Sequence, residues 1–192
     1  NLDWALPRYA ATTIFGPEGA RQPAYSIGGG PMGVDGFARG FALVPEQLKP
    51  VTLYAWNRTQ ALADAGKLNN PETPAVSLDA TSAAFRFANY PLDMKEQSPA
   101  EAFPKVFVDQ TRGGCSFRDR WQDGDDCLAM IFGNTWNARG GWSTPEAGDL
   151  RISGLGADWL VRGGGHGHGG SNRGLEDART YHNVLRLGEG VN

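Results

Sequence analysis

The chain has 192 residues, 40% of them hydrophobic and 20% charged, which is enough to bury a core and points to neither disorder, a collagen repeat nor a coiled coil. A formal charge of -3 provides no broad basic field, so non-specific binding to nucleic acid lacks its electrostatic driver. No apolar run reaches the ~20 residues that span a bilayer, and no charged-then-apolar signal pattern opens the chain.

The first residues are Asn1-Leu2-Asp3-Trp4 rather than an initiating Met, which reads as a processed precursor or a piece of a longer polypeptide. Residues 1 to 36 are rich in Gly and Pro, and only short helices fit between these breakers. Gly28-Gly29-Gly30-Pro31 lacks the Lys-Ser/Thr and the preceding strand of a phosphate loop and reads as a flexible connection. Phe37 to Val44 predicts a short helix packed through Phe37, Phe41 and Val44. Pro50 to Ala65 predicts a longer one, with Pro in the first turn, apolar or small residues at Val51, Tyr54, Ala55, Leu62 and Ala65, and Gly66 as the stop. Between Lys67 and Lys105 prolines recur, which predicts a long crossing strap with one short helix near Ser82 to Ala88, anchored by Phe85, Phe87 and Tyr90.

Beyond Lys105 the pattern becomes short alternating or apolar runs between Gly and Asp turns. Val106 to Val108, Ser116 to Trp121, Cys127 to Phe132, Asp149 to Ser153, Ala157 to Val161 and Asn183 to Leu187 predict an antiparallel sheet and an α+β chain. Trp121 and Trp159 are assigned to its core. Cys115 and Cys127, the two cysteines, match no zinc or redox spacing. A hairpin turning at Asp123-Gly124 sets Cys127 opposite about residue 120 and Cys115 several residues further along, so two buried thiols are expected ahead of a bridge, which a twisted loop would still permit, and the compartment stays open. Val184 to Leu187 reads as a strand followed by a Gly188-Glu189-Gly190 turn with too little chain left for a return strand. Further sequence, on this chain or a neighbour, is expected to complete that sheet.

All three histidines fall between Arg139 and Asn183, among glycines, arginines and Trp142. Reacting groups, if the protein does chemistry, are expected there. Imidazoles titrate near neutrality and serve as bases, while arginine forks suit carboxylates and sulfates.

The ordered set Phe117-Arg118-Asp119-Arg120-Trp121, Cys127 to Phe132, Gly141-Trp142-Ser143-Thr144-Pro145-Glu146-Ala147-Gly148-Asp149-Leu150, Gly154 to Leu160 and Tyr181-His182-Asn183 resembles the sandwich domain of heparinase II/III-like polysaccharide lyases. The resemblance covers about residues 113 to 187, while residues 33 to 110 agree in organisation alone. It implies a C-terminal portion of an antiparallel β-sandwich preceded by the last helices of an α/α toroid, within a larger protein. The implied division is 1–66 helical, 67–104 linker and 105–192 sandwich portion, incomplete at its end. It also implies a periplasmic or extracellular setting, an acidic polysaccharide as partner, and β-elimination beside a uronic-acid carboxylate.

The chain departs from the family where the family often has Gly-His-x-His-x-Asp, because Trp142 and Thr144 stand in the histidine positions and Arg162 stands near the expected acid. With one of three ligand positions left, at His182, no metal is expected, and no other cofactor pattern is present. His166 and His168, in Gly163-Gly164-Gly165-His166-Gly167-His168-Gly169-Gly170, are displaced candidates for the missing pair. The implied roles are proton transfer by His182 with Tyr181, His166 or His168, carboxylate binding by Arg173 or Arg179, ring stacking by Trp142 and hydroxyl orientation by Glu146. Each has a structural reading beside it: a braced strand for Tyr181 and His182, a mobile loop for His166 and His168, a core side chain for Trp142, and solvated charges for the arginines. Two alternatives stand beside the enzyme: a catalytically inactive carbohydrate-binding or structural protein of the same fold, and a segment that assembles with neighbouring chains.

Overall fold

The computed structural model of the chain describes residues 2–21, 32–68, 76, 79–108, 114–121, 124, 126–132, 148 and 150–160. These form a helical body followed by an antiparallel sheet, an α+β arrangement. Among them no helix is long and apolar enough to cross a membrane.

A 3₁₀ turn at Leu2–Trp4 leads into α1, Ala5–Thr12. Pro7 is accommodated in the first turn, where its missing N–H has no intrahelical partner to lose. The helix end is tied by hydroxyls: Thr12 Oγ1 donates to the Arg8 carbonyl at 2.9 Å and Thr13 Oγ1 to the Tyr9 carbonyl at 2.7 Å. A short hairpin follows, β1 at Ile14–Gly16 and β2 at Gly19–Arg21. The sequence reading has no strand here, because three-residue runs carry no measurable alternation. The hairpin exists because Phe15 and Ile14 are buried by neighbours distant in sequence.

Helix α2, Val34–Gly40, continues as a 3₁₀ turn at Phe41–Leu43, and Phe37, Phe41 and Val44 all face the core as expected. Helix α3, Lys49–Asp64, matches its prediction within one residue, with Pro50 in the first turn. Its stop is a Schellman motif: Gly66 adopts φ +67, its N–H bonds the Ala63 carbonyl, and the Lys67 N–H bonds that of Leu62. Gly28 to Gly30 lies outside the described residues.

Aromatic rings knit this body together. Trp56, 2% exposed, stacks on Phe37 with centroids 6.3 Å apart, while Phe37 meets Tyr9 edge-on at 5.6 Å and Phe15 meets Tyr54 at 6.4 Å. The Tyr9 hydroxyl accepts from the Met32 N–H at 3.0 Å, yet burial dominates and pushes its pKa up to about 12.

Helix α4, Ala80–Asn89, is capped by Asp79, whose carboxylate accepts from the Ser82 N–H at 2.8 Å. It lies where a short helix was expected, but its anchors differ. Phe87 is 91% exposed, and Phe85 and Tyr90 are also exposed. The polar stripe Ser82, Arg86 and Asn89 faces α2 instead: Arg39 donates to Ser82 Oγ, Arg86 pairs with Asp35, and Asn89 Nδ2 donates to the Ala38 carbonyl. The anchoring role assigned to Phe85 and Phe87 is therefore corrected, because α2 presents α4 with polar partners rather than an apolar hollow. A one-turn helix α5, Pro99–Ala102, leads to the sheet.

Strands β3 (Val106–Val108), β4 (Gly114–Arg118), β5 (Cys127–Phe132), β6 (Leu150–Gly154) and β7 (Ala157–Leu160) pair in sequence order, each antiparallel to the next. Each agrees with a predicted strand within two or three residues. The predicted strand at Asn183 to Leu187, and with it any completion of the sheet there, lies outside the described residues. In this register the Asp119 N–H bonds the Cys127 carbonyl, four residues from Cys115, and both cysteines are free thiols. Gly154 is obligatory at its position, since a Cβ there would come within 2.6 Å of Cys127 Sγ and 2.7 Å of the Asp126 carbonyl.

One face of the sheet carries Ser116, Arg118, Leu128, Met130, Arg151 and Ser153, all buried, and Ile14 from β1 packs on Leu128 and Met130. Arg118 forms the joint. Its Nε donates to Asp126 at 2.6 Å, and its terminal nitrogens reach the carbonyls of Ala11 at 3.1 Å and Thr13 at 3.0 Å, at the open C-terminal end of α1. The guanidinium also lies 4.0 Å from the centre of the Trp121 ring.

Two outcomes follow for stability. Replacing Arg118 with Met strands the Asp126 carboxylate, 0% exposed, and two helix-end carbonyls, so unfolding by urea should show a loss of about 3–5 kcal/mol. The raised Tyr9 pKa means the folded state holds the phenol proton that the unfolded chain releases near pH 10. Stability is therefore complete below pH 10 and falls by about 1.4 kcal/mol per pH unit as pH rises toward 12, a dependence that Tyr9→Phe should remove.

Candidate functional site

The residues to which the sequence assigns chemistry, His182, Tyr181, His166, His168, Trp142, Arg173, Arg179 and Glu146, lie outside the described residues, as does Arg162. Among the described residues no group of three or more His, Cys, Asp or Glu side chains is placed to hold a metal ion. Two features of the described structure can engage a ligand.

The first is the region around β6 and β7. Trp159 does not enter the core: it is 61% exposed. A register shift between Ile152 and Ser153 pairs Ile152 with Leu160 and Ser153 with Asp158, so Trp159 sits at a bulge on the last strand of the sheet among the described residues. Its indole N–H donates to the Gly154 carbonyl at 3.0 Å, which holds the ring in one orientation while leaving much of it open. Leu155, in the adjoining turn, adopts φ 51, an unfavourable conformation for a branched side chain. The turn is tied back to the helical body by Arg21, which bonds the Gly156 carbonyl and pairs with Asp158 at 3.3 Å. Trp121 sits nearer its expected place, half-buried with its ring 6.0 Å from that of Phe103.

The second is a groove of about 390 Å³ between α3 and α4. Asn57, Gln60, Ala61 and Asp64, spaced at i, i+3, i+4 and i+7, form one stripe of α3 and line one wall, while Arg86 and Tyr90 line the other above Trp56. The side chains are cross-braced. Tyr90 Oη donates to Asn57 Oδ1 at 2.9 Å, Asn57 Nδ2 donates to Glu96 at 2.7 Å, and Gln60 Nε2 donates to Asp64 at 2.8 Å. Tyr90 packs edge-on against Trp56 at 5.2 Å. No motif in the sequence singles out this stripe of α3. Only the docking of α4 makes it concave, and the sole local signal is the run of carboxamide and carboxylate groups at helical spacing.

A comparison of the chain with family models, with curated proteins and with solved structures finds no match in any of the three.

Truncation separates the two tryptophans. Trp56→Ala should cost about 3–5 kcal/mol in chemical denaturation, as expected for a buried indole, whereas Trp159→Ala should change stability by no more than about 0.5 kcal/mol, as for an exposed side chain.

Proposed function

We propose that this chain belongs to a polysaccharide lyase that cleaves uronic-acid-containing glycans by β-elimination, in the manner of the heparinase II/III-like enzymes it resembles. The observation that carries the reading is the placement of the resembling segments. Of those within the described residues, Phe117 to Arg118, Cys127 to Phe132, Leu150, Gly154 and Ala157 to Leu160 fall on four successive strands of one antiparallel sheet that follows a helical body, and Asp119 to Trp121, Gly148 and Leu155 to Gly156 lie between strands. The face of that sheet turned away from the helices supports the same reading. Val106, Val108, Phe117 and Ile131 are exposed on it, beside half-buried Ala129, Leu150, Ile152 and Leu160. An apolar sheet face of this kind is what a sandwich covers with a second sheet, supplied in this proposal by the rest of the polypeptide or a neighbouring chain. The helical body then corresponds to the last helices of an α/α toroid.

In this proposal His182, with Tyr181 or one of His166 and His168, removes the proton beside the sugar carboxylate and returns one to the departing glycosidic oxygen. Arg173 or Arg179 neutralises the carboxylate, whose charge would otherwise oppose the carbanion-like transition state. Trp142 stacks on a sugar ring and Glu146 orients a hydroxyl. The setting is periplasmic or extracellular.

A second reading, a carbohydrate-binding protein without catalysis, is favoured by two specific observations. Trp142 and Thr144 occupy the family's usual histidine positions, and Trp159 presents an open ring locked by its own hydrogen bond. One assay separates the readings. The polypeptide carrying this chain, incubated with a panel of uronic-acid polysaccharides, should generate the ultraviolet absorbance of an unsaturated product, and His182→Ala should slow it by about 10²–10⁴-fold. Polysaccharide binding without product from any member of the panel would replace the enzyme with the binding protein.

A further inference from the structure

The groove between α3 and α4 has the chemistry of a sugar subsite, but of a different kind from one that holds a uronic acid. Its volume, about 390 Å³, lies within the ~300–1,000 Å³ typical of small-molecule sites. Tyr90, 39% exposed, offers part of a ring whose position is set by its bond to Asn57 and its edge contact with Trp56. Such bracing lowers the entropy lost when a ligand is bound. Gln60 and Asp64 are joined through one amide hydrogen and one carboxylate oxygen, which leaves the Gln60 carbonyl and the second Asp64 oxygen to accept from ligand hydroxyls. A planar aromatic surface beside paired amide and carboxylate acceptors fits the apolar face and equatorial hydroxyls of a pyranose.

Charge selects among sugars. Asp64 lines the groove, and Glu96 stands behind Asn57. The cation on the opposite wall, Arg86, is engaged by Asp35. A uronate carboxylate placed here would meet carboxylates with no uncommitted positive partner among the described residues that line the groove, whereas a neutral ring would meet acceptors for its hydroxyls.

We propose that this groove binds one ring of a neutral hexose or N-acetylhexosamine unit, laid against Tyr90 and hydrogen-bonded to Gln60 and Asp64. The proposal rests on the carbohydrate reading of the chain but requires no catalysis. If the parent acts on a mixed polymer, the groove holds a neutral unit while the uronic acid lies elsewhere.

A nuclear magnetic resonance titration of the full chain with cellotetraose, maltotetraose, N-acetylchitotetraose and tetragalacturonate tests it. At least one neutral tetrasaccharide should shift the signals of residues 57–64 and Tyr90 saturably, and more tightly than tetragalacturonate does. Gln60→Ala and Asp64→Ala, both on the helix surface, should each weaken that binding by about three- to tenfold, the range of one hydrogen bond, with circular dichroism unchanged. The proposal is overturned if no neutral probe shifts these signals, if tetragalacturonate binds there more tightly, or if the folded double variant binds as well as the parent. Neutral-sugar binding at the groove with no unsaturated product from any polysaccharide would remove the lyase and leave the groove. Product formation with silent groove signals would do the reverse.

Discussion

The architecture depends on one buried cation. Arg118 ends a strand of the sheet, yet its guanidinium is spent on the carbonyls of Ala11 and Thr13 at the end of α1 and on Asp126 at the far side of its own hairpin. The side chains of the pair are 2% and 0% exposed. Removing two charges from water is costly, and the cost is offset only because nearly every donor is occupied and the second Asp126 oxygen accepts from the Arg120 N–H at 3.1 Å. This joint contributes geometry more than net stability. It holds the sheet against the helical body in one register, with Trp121 covering the guanidinium.

Around that joint the protein distributes polar and apolar surface in an unusual way. The sheet turns its polar residues Ser116, Arg118, Arg151 and Ser153 toward the helices, while Val106, Val108, Phe117 and Ile131 face outward. Helix α4 does the same, with Ser82, Arg86 and Asn89 turned to α2 and Phe87 turned out. On the inner side directional bonds of Arg118 and of the α4 stripe stand beside the apolar contact of Ile14 with Leu128 and Met130, while the outer faces keep further apolar area exposed.

Much of the secondary structure was legible in the chain, for reasons that differ between elements. Helix α3 announces itself through Pro50, its apolar spacing and Gly66, because proline fixes the φ of the first turn and glycine accepts without strain the left-handed φ of the stop. The strands announce themselves through short runs between Gly and Asp turns. The β1–β2 hairpin was not legible, since its three-residue strands are stabilised by contacts with α3 and the sheet rather than by local pattern. Trp159 was misread because tryptophans in sheets are mostly buried, and only the pairing of β7 with β6 shows that it stands away from the buried face, 61% exposed. Phe85 and Phe87 were misread for a related reason: apolar side chains mark a helix face, but they do not state which face meets a neighbour.

By itself the sequence determined the α+β order of elements and the antiparallel strands, because these follow from local backbone preference, whereas the free state of the two cysteines is a finding of the structure. It also carries the resemblance from which a lyase is proposed. Only the tertiary structure decided that Arg118 is buried among the carbonyls of α1, that α4 packs through its polar stripe, and that Asn57, Gln60 and Asp64 line a concavity rather than a plain solvated surface. These are properties of pairs of elements far apart in sequence, set by which face of each is turned toward the other, and no local periodicity encodes that choice.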